Sequence, residues 1–159
     1  MTTETATEKI RISECEKIAL LFVCTGNTCR SPMAAAVINA KYGDTYAALS
    51  AGTAAFGGQP ISHHAATALE EIHITPQAGG YQEHASSRLD DGMMTWADKV
   101  VAMTGEHYMQ IIMRFPEYAG KITTLEPNVA DPFGGTLEDY RHCLQEICQG
   151  IKNSVVGSE

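Results

Sequence analysis

The chain has 159 residues and carries 11 basic against 19 acidic side chains, a formal charge of −8, which fits one domain and is short for two. That acidic balance excludes a general binder of nucleic acid or anionic membrane, because its long-range field repels polyanions, yet it leaves room for a small local anion site. No stretch approaches the ~20 consecutive apolar residues of a membrane helix.

Residues 1–16 set Glu4, Glu8, Glu14 and Glu16 against Lys9 and Arg11 and have no apolar leader core, so they are expected to be a flexible tail. The domain is expected over 17–152, with a short second tail at 153–159. Residues 18–23 (Ile-Ala-Leu-Leu-Phe-Val) are a continuous apolar run, as in a strand buried on both faces. Ser31 and Pro32 offer an N-cap and a first helical position, and a helix is predicted to follow to Lys41. Residues 46–51 read as a weaker strand ending at Gly52, and residues 62–72 as a helix capped by Ser62. Gly79 and Gly80 read as a flexible loop. Residues 87–96 read as a helix, 99–103 as a strand, 104–115 as a helix capped by Thr104, and 121–125 as a fourth strand. The last helix starts at Thr136, where Thr-Leu-Glu-Asp resembles a capping box with Asp in the Glu position, and is expected to end near Gly150. Strands alternating with helices predict an α/β domain whose parallel sheet is covered on both faces, a three-layer αβα arrangement. In such sheets ligands bind beyond the carboxyl ends of the strands.

The loop after the first strand reads Cys24, Thr25, Gly26, Asn27, Thr28, Cys29, Arg30, Ser31. Successive backbone N–H groups in a tight loop, followed by a helix N-terminus, suit a tetrahedral oxyanion. Gly26 and Asn27 tolerate the positive φ that such a loop requires. Arg30 can place two parallel N–H bonds on phosphoryl oxygens. The same positive field favours Cys24 as a thiolate nucleophile, to which Ser31 can donate its hydroxyl. There is no Gly-Lys-Ser/Thr ending, so nucleoside triphosphate binding is not supported. A leaving group needs a proton, and Asp131, in the turn-rich Asn-Val-Ala-Asp-Pro-Phe-Gly-Gly run after the fourth strand, is the candidate general acid and base. Five cysteines and no secretory leader point to free thiols in a reducing cytoplasm.

The cysteine loop, Ser50-Ala51-Gly52 after the second strand, and the late Asp131-Pro132 together resemble the low-molecular-weight protein-tyrosine-phosphatase family, from about Ile18 to the last helix. The resemblance implies a single flavodoxin-like domain with a four-stranded parallel sheet, no cofactor or metal, phosphorylated protein as substrate and inorganic phosphate as product. Through it, Cys24 is the expected nucleophile, Arg30 the transition-state clamp and Asp131 the general acid, with residues 25–31 as the phosphate-binding loop and Asn27 and Ser31 holding its shape and stabilising the thiolate. Cys29 falls where relatives often carry a second cysteine able to form a reversible disulfide with the nucleophile. Two features are similar to the bacterial branch that includes protein-arginine phosphatases: Thr28 where many tyrosine phosphatases are apolar, and Phe133-Gly134-Gly135 in place of a tyrosine pair. A β-branched hydroxyl narrows the pocket and adds a polar contact, while Phe133 can wall it for either substrate. Phosphotyrosine and phosphoarginine both stay open, and aryl phosphates such as p-nitrophenyl phosphate are expected substrates.

The main alternative is a thiol-dependent arsenate reductase on the same fold, since arsenate is also a tetrahedral oxyanion. That chemistry needs a relay of further cysteines, and residues 52–137 contain none. Cys143 and Cys148 repeat the Cys-x4-Cys spacing but lie about 140° apart on a helix, so packing explains them better than zinc. Cys15 is a further bystander. His63, His64, His73, His84, His107 and His142 show no ligand spacing. Trp96 with Met93, Met94, Met103, Met109 and Met113 fits a core-facing stripe.

Overall fold

In the computed structural model, which describes residues 17–156, the apolar run becomes strand β1 (Ile18–Cys24). It pairs in parallel with β2 (Tyr46–Gly52) on one side and β3 (Lys99–Ala102) on the other, and β4 (Ile122–Thr124) completes the order β2-β1-β3-β4. The central position explains the run. Leu20 and Phe22 join an apolar cluster with Met33, Ile38 and Ile147 on one face, whereas Leu21 and Val23 join Met94, Ile111 and Phe115 on the other. With a period of two, a strand buried on both sides must be apolar at every position. Each such side chain contributes about 1.5–3 kcal/mol on burial.

Helices α1 (Arg30–Lys41), α2 (His63–Glu71) and α6 (Leu137–Ser154) cover the first face, and α4 (Asp91–Trp96) and α5 (Gly105–Arg114) supply residues to the second. A single turn, α3 (Pro76–Gly79), precedes them on the chain path from β2 to β3, and a 3-10 helix (Pro116–Lys121) leads into β4. The predicted three-layer α/β sandwich with a four-stranded parallel sheet is the observed architecture. Among the described residues no helix is long and apolar enough to cross a membrane.

Several local expectations are corrected. Helix α1 starts at Arg30, and Ser31 is not its cap; no side chain caps that end. Residues 87–90 are not helical. Arg88 bridges Gly52, the Gly52 N–H donates to Ser87 O and the Leu89 N–H to Gly52 O, both at 2.9 Å, and Asp90 caps the shorter α4. This stretch satisfies backbone groups at the end of the β2 edge strand, a tertiary demand that overrides helical propensity. Gly79 is buried at the end of α3, capped by Gly80 at φ 74°, so the pair is a packed turn rather than a flexible loop. The last helix runs past Gly150 to Ser154, and Val155 and Val156 are buried in the core. The domain limit at 152 therefore falls inside the helix, and residues 153–156 belong to the fold. Gly150 is there for close approach: a Cβ would meet Leu125 Cγ at 2.7 Å. Met94 and Met103 are buried as expected, but Met109, Met113 and Trp96 are exposed, so the methionines form no single core stripe. The N-terminal tail and Cys15 lie outside the described residues.

Candidate active site

Strand β1 ends at Cys24 in register with Gly52 of β2, and five residues later α1 begins. The loop is tied down from the β2 side, where Thr53 N–H donates to Cys24 O at 2.8 Å and Ala54 N–H to Thr25 O at 3.0 Å. Gly52 permits this crossing, since a Cβ there would run into the Thr25 carbonyl oxygen. The site thus lies at the carboxyl end of the central strand, between β2 and β3, where the chain path reverses its direction across the sheet.

Asn27 organises the loop. It sits at φ 61° while Gly26 keeps an ordinary φ, so of the two residues expected to tolerate the left-handed region only Asn27 occupies it. Its side chain is fully buried. The amide donates to Ser31 Oγ and Ser50 Oγ, both at 2.9 Å, and Oδ1 accepts the Ser87 N–H at 2.9 Å. The Asn27 carbonyl accepts from His84 Nε2 at 2.8 Å; a carbonyl only accepts, so that nitrogen carries the proton. Burial lowers the His84 pKa, opposed by this hydrogen bond. Asn27 already donates to Ser31 Oγ, so the single Ser31 hydrogen has two acceptors in reach, Cys24 Sγ at 3.0 Å and the Ala51 carbonyl at 3.4 Å, and a Cys24 thiolate, which only accepts, draws it to the shorter contact. Ser31 is thereby recruited to the cysteine instead of to the helix end.

Arg30 is 5% exposed. Its Nη1 donates to Val129 O at 3.1 Å and its Nη2 stands 3.6 Å from Asp131 Oδ2. Asp131 is half-exposed, and its Oδ1 accepts the Phe133 N–H at 3.0 Å, which holds the turn. A cavity of about 420 Å³ is lined by residues 24–30, Ala54, Phe56, Gln59, Asp131 and Phe133. Cys24, Arg30, Asp131 and Phe133, 109 residues apart at the extremes, therefore share one cavity. It combines a buried sulfur, a buried guanidinium and a partly solvated carboxylate, the set needed to attack a tetrahedral anion, hold its charge and move a proton.

Cys29 is also buried, but its Sγ lies 3.4 Å from Tyr140 Oη on α6 and 3.7 Å from Thr28 Oγ1. Burial and the bond to Cys29 push the Tyr140 hydroxyl up to about 12, so it is a neutral phenol. Sequence reasoning missed Phe56 and Gln59 on the cavity wall and the roles of His84, Ser87, His107 and Tyr140. Phe56, 78% exposed on a loop, offered the one available signal, an aromatic where packing does not need it.

The family described as low molecular weight phosphotyrosine protein phosphatase matches residues 19–155. The chain is 42% identical over 135 residues to the protein-arginine-phosphatase of Geobacillus stearothermophilus, covering 80% of this chain and 87% of that protein. It is 38% identical to the protein-arginine-phosphatase of Bacillus subtilis, over 80% and 88% of the two. The solved low molecular weight protein tyrosine phosphatase from T. tengcongensis superposes with a TM-score of 0.78 at 37% identity, over 85% of this chain and 95% of that one.

Proposed function

This chain belongs to the low molecular weight phosphotyrosine protein phosphatase family, and from that premise we propose that it hydrolyses phosphoarginine in proteins through a phosphocysteine on Cys24. The hydrolase class follows from the family; the arsenate reductase alternative is not favoured, since the matching family and the relatives above are phosphatases. The observation that carries the substrate choice is Thr28, a polar β-branched residue on the wall of the cavity that also holds Cys24, Arg30 and Asp131. The two relatives named protein-arginine-phosphatase support the same choice. Four free thiols among the described residues accord with work in a reducing cytoplasm.

In this reading the loop N–H groups and Arg30 bind the phosphoryl oxygens, and Cys24 Sγ attacks phosphorus. The S–P bond forms as the P–N bond breaks, and Asp131 gives its proton to the leaving guanidine nitrogen. Water then attacks the phosphocysteine, Asp131 takes the water proton, the S–P bond breaks and inorganic phosphate leaves. Ser31, donating to Sγ, stabilises the sulfur both before attack and on release. Phe133 and Phe56 flank the mouth, where an apolar wall excludes water from the departing group.

The test compares kcat/KM for phosphoarginine and phosphotyrosine peptides in the wild type and in Thr28→Ile. The wild type is expected to prefer phosphoarginine, and the substitution to move the ratio toward phosphotyrosine by ~10-fold or more. In the same assay Asp131→Ala should lower kcat by about 10²–10⁴ on peptides and less on p-nitrophenyl phosphate, whose leaving group needs no proton. A wild type that prefers phosphotyrosine, or a ratio indifferent to Thr28→Ile, overturns the substrate assignment. An Asp131→Ala variant with full activity overturns the acid role.

A further inference from the structure

His107 lies in the first turn of α5, 82 residues from the phosphate loop, and is 3% exposed. Both of its ring nitrogens are engaged. Nδ1 stands 2.9 Å from Thr104 Oγ1, and Nε2 stands 2.8 Å from Oγ1 of Thr25, the residue that follows Cys24 and lines the cavity. The same Thr104 Oγ1 accepts the His107 backbone N–H as the helix cap, at 3.2 Å.

The ring has three possible states, and the contacts separate them. A cation is opposed by burial and then by the Arg30 charge, against a smaller pull from Asp131, which together bring its pKa down to about 4. Of the two neutral forms, the one protonated at Nε2 uses every group: Thr104 accepts the backbone N–H and donates its hydrogen to Nδ1, and Nε2–H donates to Thr25 Oγ1. The Thr25 hydroxyl hydrogen is then free to turn to the cavity. In the opposite form Nε2 would consume that hydrogen, and Thr25 would offer only lone pairs to an anion.

We propose that His107 is a positioning residue which, backed by Thr104, holds Thr25 Oγ1 as an acceptor so that the Thr25 hydroxyl donates to a phosphoryl oxygen bound over Cys24. This rests on the reading of the Cys24 loop as a phosphoryl site. It adds one side-chain donor to the backbone N–H groups and Arg30, and a donor to a charged oxygen is worth about 10- to 100-fold in affinity. The ring never touches the substrate; it sets the direction of a hydroxyl that does.

Two measurements on the full chain test this. Nitrogen-15 NMR of histidine-labelled protein at neutral pH should show His107 protonated at Nε2 and bare at Nδ1; a ring protonated at Nδ1, or at both nitrogens, overturns the proposal. Inhibition of p-nitrophenyl phosphate hydrolysis by inorganic phosphate should weaken ~10-fold or more in both Thr25→Val and His107→Ala. His107→Gln, which keeps a donor that can reach Thr25, should recover most of the loss. In the Thr25→Val background His107→Ala should cost nothing further, and additive losses overturn the relay. Thr25 is exposed, so Thr25→Val keeps the question decidable if His107→Ala fails to fold: wild-type phosphate affinity in Thr25→Val overturns the proposal. If the wild type itself does not bind phosphate competitively, the phosphoryl-site reading fails instead.

Discussion

At the scale of single residues, the four described thiols are set apart by what each one touches. Cys24 has the Ser31 hydroxyl at 3.0 Å and the cavity in front of it. Cys143 faces Ala130 O beneath the acid loop, where burial pushes its thiol up to about 12, and burial also raises Cys148; both remain protonated and inert near neutral pH. Cys29, the residue expected to guard the nucleophile, is buried with its Sγ 3.4 Å from Tyr140 Oη and lines the same cavity as Cys24. One equivalent of peroxide should convert Cys24 to a sulfenic acid with loss of water. The Cys29 thiol then condenses with it, releasing a second water and leaving a disulfide. Intact-mass and peptide spectra should show a loss of two hydrogens on a Cys24–Cys29 link, with activity returning on addition of dithiothreitol. Stable sulfinic acid on Cys24 with Cys29 unmodified would remove the protective role. Cys24 and Arg30 could be grouped from the sequence because they sit six apart between a strand and a helix, and Asp131 because it follows another strand at the same end of the sheet; all three line one cavity. Asn27 was expected to hold the loop, but its partners were not foreseen, because Ser50, His84 and Ser87 reach it from 23, 57 and 60 residues away.

Among the elements, the pairing of β1 with β2 does most to shape the site. The register puts Cys24 opposite Gly52, and the bend after Gly52 donates two backbone bonds to the loop, from Thr53 and Ala54. Gly52→Ala would press a methyl group against the Thr25 carbonyl oxygen and within 2.8 Å of Ala55 Cβ. Backbone cannot yield as a flexible side chain does, so a destabilisation of about 1–3 kcal/mol is expected, together with a loss of turnover larger than the change in KM. Urea unfolding and steady-state kinetics on the purified variant check both, and wild-type values in each would contradict the role given to this contact. Element types were well marked by periodicity and capping residues: Ser62, Thr104 and Thr136 cap the helices they were expected to cap. The failures share one cause. Gly150 resembled a stop signal but serves close packing on Leu125, and residues 87–90 were drawn from helix into pairing with Gly52. In both places a contact distant in sequence outweighed a local preference.

For the molecule as a whole, buried His107 and half-buried His84 make stability depend on pH. His107 stays neutral in the fold down to about pH 4, whereas an unfolded histidine titrates near 6.5. Between those values the unfolded chain binds the extra proton, so stability falls as pH drops from about 6.5 toward 4 and is unaffected by this residue above that window. The full effect is on the order of 3 kcal/mol, and His84, lowered by burial, acts in the same direction. Urea midpoints measured from pH 7 to pH 4.5 should decline less steeply in His107→Gln than in the wild type; parallel slopes would show that His107 does not titrate this way. The overall charge of −8 bears on the same scale, since the positive potential of the site is confined to one loop, one helix end and Arg30.

The sequence by itself determined the alternation of strands and helices, the buried central strand, the loop at its carboxyl end with Cys24 and Arg30, and the placing of Asp131 on a distant turn. These depend on periodicity and on motifs that are short or placed at strand ends, where topology brings them to one edge. Only the tertiary structure decided which residues support them: the Asn27 clamp, the Tyr140 contact to Cys29, the aromatic rim at Phe56, and the pairing of His107 with Thr25 across 82 residues. The physical reason is that hydrogen-bond partners of buried polar groups are chosen by proximity after the parallel crossovers are made, and no local pattern in the chain encodes that proximity.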